Sequence, residues 1–367
     1  MTRRASLVPR AGRCVEIAHS GLAGTSTLLL AGCAGAQSAL EIHGPAAQRI
    51  AGVWWAMLAI GAVIYLVVVA LVLYLLLRRQ TSDAHARRVT GADDDDGNAS
   101  TRVSPTHGGA TRLAKRWILL GGVALPVVVL APLFVASVRT LSALMHETGD
   151  DLTVHVTGRQ WWWQIRYKGA NGTGDILAAN EIHIPVGRRV RIELATADVI
   201  HSLWIPNLHG KTDLVPGRTN VMWIEASRPG MSRAQCAEYC GTQHAHMALP
   251  VVAETQAEFD DWLARERLPA RVPLDSVARA GASVFMSASC WTCHTIRGTA
   301  AAGVGAPDLT HLAGRRTIAA GTLANTPANL ARWIADPQAV KPGNKMPRAP
   351  LTSEQLTAVV TYLGTLR

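Results

Sequence analysis

The sequence predicts a multidomain membrane protein: a hairpin of two transmembrane helices, then an all-β domain, then an all-α domain. Three observations carry this. Residues 50–77 and 117–138 are apolar and hold no charged side chain, and both runs exceed the ~18 residues that mark a membrane-spanning helix. Short β-branched or alternating runs fill residues 150–253, separated by Gly, Pro, Asn and Asp clusters. Helical patterns dominate from residue 275 onward. A chain of 367 residues has room for two or three such domains.

The N-terminus is basic, with Arg3, Arg4, Arg10 and Arg13 ahead of a short apolar stretch. That is the layout of a secretory signal, expected over residues 1–32. Its ending, Leu30-Ala31-Gly32-Cys33, resembles a bacterial lipoprotein cleavage site. The resemblance implies that Cys33 is the lipidated first residue of the mature chain. Removing residues 1–32 takes away four Arg and Glu16, lowering the formal charge from +10 to +7. The basic balance needs no nucleic-acid partner to explain it.

The hairpin is expected within residues 33–149, with spans of about 50–77 and 117–138. Pro126 and Pro132 fall in the second span, where membrane helices tolerate proline if neighbours re-satisfy the backbone. Trp54, Trp55 and Trp117 sit near span ends, as interfacial anchors do. The intervening loop, residues 78–116, carries Arg78, Arg79, Arg87, Arg88, Arg102, Arg112, Lys115 and Arg116. The positive-inside rule makes this loop cytoplasmic and puts both chain ends outside. Its Gly, Ser, Thr and Asp content predicts disorder.

Strands are expected at residues 152–156, 161–167, 181–184, 190–194 and 220–224, the pattern of a sandwich or barrel. The chemistry of this domain is concentrated in Cys236-Ala-Glu-Tyr-Cys240-Gly-Thr-Gln-His244-Ala-His246-Met247. Thiolate and thioether ligands select copper, and imidazole suits it. A mononuclear blue-copper site needs one Cys, two His and a weak axial Met. Two Cys in the loop allow two bridged copper ions. His155, His183 and His209 read as ordinary strand or loop residues.

Residues 254–267 read as a short helix, and the prolines of residues 268–273 mark a linker, so the boundary region is 254–274. From residue 275 to 367 the domain carries Cys290-Trp-Thr-Cys293-His294, the spacing of a c-type haem attachment site. Cys290 and Cys293 would form the thioethers and His294 the proximal ligand. Met346, in Gly343-Asn-Lys-Met346-Pro347, is the only methionine after the motif. It is the expected sixth ligand, with His311 as rival. Met/His ligation raises the haem potential. Helices are expected at residues 326–334 and 352–366.

Three stretches together resemble cytochrome c oxidase subunit II: the copper loop, Asp198-Val-Ile-His201-Ser-Leu-Trp-Ile-Pro206, and Gly158-Arg-Gln-Trp161-Trp-Trp163. The resemblance covers the hairpin and the β domain. It implies a cupredoxin-like fold and a binuclear CuA centre held by His201, Cys236, Cys240, His244, Met247 and the Glu238 backbone carbonyl. It also implies a magnesium ion reached by the Glu238 side chain at the subunit I interface. Electron entry falls on Trp161, the first aromatic of its run. From residue 275 the chain resembles a class I cytochrome c; Pro307-Asp308-Leu309 resembles the loop that supports the haem edge.

The resemblance therefore implies subunit II of a proton-pumping haem–copper oxidase in a bacterial inner membrane, both redox domains facing the periplasm. Partners would be subunits I and III and an external donor, such as a cytochrome c or a quinol-oxidising complex. Two alternatives stand beside it: a CuA-bearing subunit of another terminal reductase, such as a nitric oxide reductase, and a membrane-anchored copper-delivery or electron-shuttle protein. Two departures from the family are plain. Arg159 stands where a histidine is common. No acidic residue lies between Asp96 and Glu147, where the family often has a glutamate serving a proton channel.

Overall fold

The computed structural model of the chain describes residues 37–89, 107–145, 152–169 and 174–367. The expected signal segment and Cys33 lie outside the described residues. The first span is α1, Pro45–Val89. The second is α2, His107–Leu119, which passes through a π-helical turn, Leu120–Ala124, into α3, Leu125–Met145. The two candidate membrane-crossing stretches are Pro45–Arg79 and Arg112–Met145. Their apolar side chains, Tyr65, Leu77, Val128 and Phe134 among them, are exposed, as lipid-facing residues are. Helix runs through residues 78–89 and 107–116, so the connecting loop is more helical than its composition suggests.

The segment before α1 folds back onto the β domain. His43 N donates to Asn207 O at 2.8 Å and Ser227 N to His43 O at 2.7 Å. Asn207 Nδ2 donates to the carbonyls of Ser38 and Glu41. The start of α1 and the β domain thus share one end of the hairpin, as the charge pattern requires.

The β domain is a sandwich of two five-stranded sheets. One has the order β3 (Ile176–Ala179), β2 (Trp162–Tyr167), β1 (Thr153–Arg159), β5 (Val190–Thr196), β8 (Asn220–Ile224). The other runs β4 (Ile182–Pro185), β10 (Ala248–Glu254), β9 (Gly230–Cys236), β6 (His201–Trp204), β7 (Lys211–Leu214). The β1–β5 and β4–β10 pairs are parallel. Val154 and Val156 of β1 point inward, as do Val190, Ile192 and Leu194 of β5, the period of two expected of a half-buried strand. Trp163 and Tyr167 add the largest buried side chains of β2. Trp161 lies in the turn before β2 rather than within it. Only Trp162 and Trp163 alternate across the sheet, and Trp163 is the inward one.

Helix α4, Gln256–Arg267, is opened by a capping box between Thr255 and Glu258. It lays Phe259 and Trp262 on Tyr167, at ring distances of 6.4 and 5.0 Å. The helical domain is built on α5 (Ser276–Ser287), α6 (Pro327–Ala335), α7 (Pro337–Val340) and α8 (Ser353–Thr365). Asp275, Thr326 and Thr352 cap α5, α6 and α8 through their side chains, satisfying backbone donors that a helix start leaves open. Its core gathers Phe285, Ile296, Leu312, Leu330, Ile334, Val359 and Tyr362.

Candidate metal centre and haem site

Strand pairing assembles the copper-type ligand set. The β6–β9 ladder sets Leu203 against Cys236, which brings His201, at the start of β6, beside the end of β9. The β9–β10 connection carries the remaining donors. Cys236 Sγ and Cys240 Sγ are 3.7 Å apart. His201 Nδ1 lies 3.8 Å from Cys236 Sγ, and His244 Nδ1 lies 3.8 Å from Cys240 Sγ. Met247 Sδ lies 3.9 Å from Cys240 Sγ, and the Glu238 carbonyl 3.2 Å from Cys236 Sγ. His201, Cys236, Cys240 and Met247 are buried.

This donor set fits copper: soft sulfur and imidazole ligands converge in a dry site. The ligand atoms of His201, Cys236 and Cys240 lie within 4.8 Å of one another. A hydrogen bond from Cys240 outweighs burial and draws Cys236 far below the ordinary thiol value, with His201 assisting. The same contact, with burial and the Cys236 charge, pushes Cys240 upward. The split belongs to the pair, and it leaves one thiolate ready to meet a metal ion.

Neighbouring residues hold the ligands in place. Asp198 Oδ1 lies 2.8 Å from His201 Nε2, which fixes the ring so that Nδ1 faces the sulfur. Gln160 Nε2 and Trp161 Nε1 both donate to the Cys240 carbonyl at 2.9 Å. His246 turns away: its Nδ1 lies 2.9 Å from Gln243 Oε1. Glu238 is exposed beside Tyr239, which is 75% exposed at the rim of the loop.

In the helical domain Cys290, Thr292 and Cys293 form a tight turn, Cys290–Thr292 being a 3-10 segment. His294 Nδ1 donates to the Pro307 carbonyl at 2.8 Å, which leaves Nε2 as the metal-facing nitrogen. Burial pushes the His294 pKa down, keeping the ring in the neutral form a metal needs. Cys290 and Met346 both pack against the domain core. His311 is buried with Nε2 donating to the Leu268 carbonyl at 3.0 Å. These residues fit a haem c held through His294.

The structure brings the six expected copper-type donors together around the sulfur pair; in the helical domain Cys290 and Met346 pack on one core, while Cys293 is exposed. Two supporting residues escaped the sequence reading. Asp198 was within a recognised stretch but carried no assigned role; its place three residues before His201 was the available signal. Lys341 gives no signal in the sequence. His183, expected to be an ordinary strand residue, sits between Glu181 (2.9 Å) and Glu254 (3.0 Å) with its ring stacked on Trp262 at 4.1 Å.

Comparison with known proteins places both domains in known families. The family model for the cytochrome c oxidase subunit II periplasmic domain matches residues 170–255, and the cytochrome c model matches residues 278–367. Cytochrome c oxidase subunit 2 of Alkalihalophilus pseudofirmus is 35% identical over 350 residues, covering 93% of this chain and 94% of that one. The same subunit of Bacillus subtilis is 29% identical over 251 residues, covering 65% and 69%. Among solved structures, the periplasmic domain of subunit II of cytochrome oxidase from Bradyrhizobium japonicum is 34% identical, with a TM-score of 0.30. It covers 33% of this chain and 96% of that chain. The β domain and the helical domain thus imply copper and haem c, and the chain belongs to the cytochrome c oxidase subunit 2 family, as a subunit II of a haem–copper oxidase with a cytochrome c domain following its β domain.

Proposed function

We propose that this subunit carries electrons, one at a time, from an external donor through its haem domain to its copper loop and on to subunit I. The reduction of oxygen to water and the associated proton pumping belong to subunit I. The observation that carries this reading is the convergence of three donor side chains, His201, His244 and Met247, around the Cys236–Cys240 sulfur pair. His201, Cys236, Cys240, His244, Met247 and the Glu238 carbonyl would hold a binuclear copper centre. Cys290 and Cys293 would bind haem c covalently, with His294 and Met346 as axial ligands. When bound, these groups supply two one-electron centres whose potentials the protein sets.

The chain's own residues do the rest. Asp198 orients His201, and the buried Met247 keeps water from the sulfur pair. Trp161, bonded to the Cys240 carbonyl, is the entry residue for electrons reaching the loop. The Glu238 side chain, exposed on the loop, would reach a magnesium ion shared with subunit I. Subunit III completes the assembly, in a bacterial inner membrane with both domains on the periplasmic side and Cys33 lipidated. No acidic residue stands in α2, where the family often has a glutamate, so any proton entrance in subunit I is built without a glutamate from this helix.

The test is a metal count and electron paramagnetic resonance spectrum of the detergent-solubilised full chain, matured with haem and loaded with copper. Two coppers per haem with a seven-line mixed-valence signal support the reading. One copper with a four-line signal overturns it.

A further inference from the structure

At the centre of the contact between the haem domain and the copper loop lies a buried lysine. Lys341, only 2% exposed, follows α7 and reaches across the domain boundary. Its Nζ donates to Trp161 O at 2.9 Å and His246 O at 2.9 Å, both in the β domain. It also donates to Ala319 O of its own domain at 3.2 Å. An ammonium has three N–H donors, and here each finds a carbonyl. Around it, Ala248 N donates to Ala320 O at 3.0 Å and Gln243 Nε2 to Pro342 O at 2.8 Å. The backbones approach so closely that a β-carbon on Gly321, whose φ is +77°, would lie 3.0 Å from Ala248 O.

Burying a charge is costly unless its hydrogen bonds are complete. The three carbonyls converge only in this docked arrangement. Any slip of the haem domain along the loop would break all three bonds and leave buried carbonyls unpaired. Arginine cannot substitute, because its planar fork does not match three diverging acceptors. The tether reinforces the same pose: Ala270 N donates to Arg297 O at 2.8 Å and Arg297 Nη2 to Glu266 O at 2.6 Å.

We infer that Lys341 is a positioning residue that locks the cytochrome c domain onto Trp161 and the copper loop, so that electrons cross in one fixed geometry rather than by repeated encounters of a tethered domain. Trp161 is then held at both ends, its carbonyl by Lys341 and its indole Nε1 by the Cys240 carbonyl. One electron leaves the haem domain and one is gained by the copper loop, with no bond made or broken. The inference rests on the copper and haem assignments proposed above.

The experiment uses the full chain in detergent, matured with haem and loaded with copper. A flash-activated ruthenium photoreductant injects an electron into the haem, and haem reoxidation is followed with copper reduction at several solvent viscosities. The wild type is expected to transfer at a viscosity-independent rate. Lys341→Met is expected to keep both optical spectra, slow transfer at least about ten-fold through loss of charge-assisted hydrogen bonds, and make the rate fall with viscosity. Lys341→Arg is expected to behave in the same way despite keeping its charge, and serves should the Met variant fail to load. A wild-type rate that falls with viscosity, or either variant transferring at the wild-type rate with both spectra intact, overturns the inference. Absence of the wild-type copper or haem spectrum instead refutes the site assignments, which separates the two failures.

Discussion

Asp198 and His201 form a carboxylate–imidazole pair in which Oδ1 sits 2.8 Å from Nε2 while Nδ1 faces Cys236 Sγ at 3.8 Å. The carboxylate is itself held by the Gln160 backbone N–H at 2.7 Å. Partners of this kind set the tautomer and direction of a ligating imidazole, and removing one costs roughly 10–100-fold in metal affinity. Asp198→Ala should weaken copper binding by that factor while the haem spectrum stays unchanged. Competition against a copper chelator of known affinity measures it, and equal affinity in the variant would remove the role from Asp198.

Gly158 leaves the space that the His201 ring occupies. A β-carbon there would lie 2.7 Å from Cδ2 and 2.9 Å from Cγ of His201. The ring is packed against the sandwich core, so it cannot simply swing away. Gly158→Ala should cost about 1–3 kcal/mol of β-domain stability, as overpacking does, and lower copper occupancy. Thermal unfolding with a metal count tests both, and full occupancy with unchanged stability would contradict the steric argument.

Met346 and His311 are the two candidates for a sixth haem ligand, and their surroundings differ. His311 is engaged with the Leu268 carbonyl, whereas Met346 packs against the core with its backbone tied by Asn344 Oδ1. Met346→Ala should change the visible haem spectrum and leave the copper signal alone. His311→Ala should leave the haem spectrum as it is and make the segment around Leu268 more susceptible to proteolysis. The reverse pattern would assign the ligand to His311. In the copper loop, Met247→Leu should alter the near-infrared copper band and slow onward transfer without touching the haem.

The buried His183 cluster predicts a pH dependence. Burial favours the neutral ring, but the hydrogen bonds and charges of Glu181 and Glu254 outweigh it and raise the His183 pKa. Burial likewise opposes ionisation of Glu181, yet His183, the Arg316 backbone N–H and Arg315 lower its pKa overall. A raised histidine stabilises the fold below its ordinary value of 6.5 and loses that contribution as pH rises through its folded value. A lowered carboxylate stabilises above its ordinary 4.5 and loses its contribution as pH falls. The thermal deficit of His183→Gln should therefore be largest between those values and shrink as pH rises. A deficit that grows toward alkaline pH would contradict the assignment.

Residues that are close in sequence were the legible ones. Cys236, Cys240, His244 and Met247 fall in one loop, and their spacing alone exposes their chemistry. Strand Asn220–Ile224 was read with its observed bounds because its apolar residues are continuous. Strand β9, Gly-Met-Ser-Arg-Ala-Gln-Cys, was not read, because its composition is polar and its conformation comes from pairing with β10. Helix α5 is rich in Ala, Ser and Gly, and the face it buries on α8 is formed by Ala278, Gly281 and Phe285, mostly small residues that composition alone does not mark as core. Lys341 was one base among many; only the approach of a second domain turns it into a buried group. Trp161 was read as a strand residue, and the turn that frees its indole to reach Cys240 depends on contacts far along the chain.

The bond between Lys341 and Trp161 joins residues 180 positions apart, and this separation imposes an order of events on biogenesis. The β sandwich is complete once β10 has been made, so its ligand loop exists while the last third of the polypeptide is still being synthesised and exported. During that interval the loop is uncovered on the side that the haem domain later occupies. Closure waits for the C-terminal domain to fold and dock. The widest approach to the loop therefore comes early, before that domain is in place.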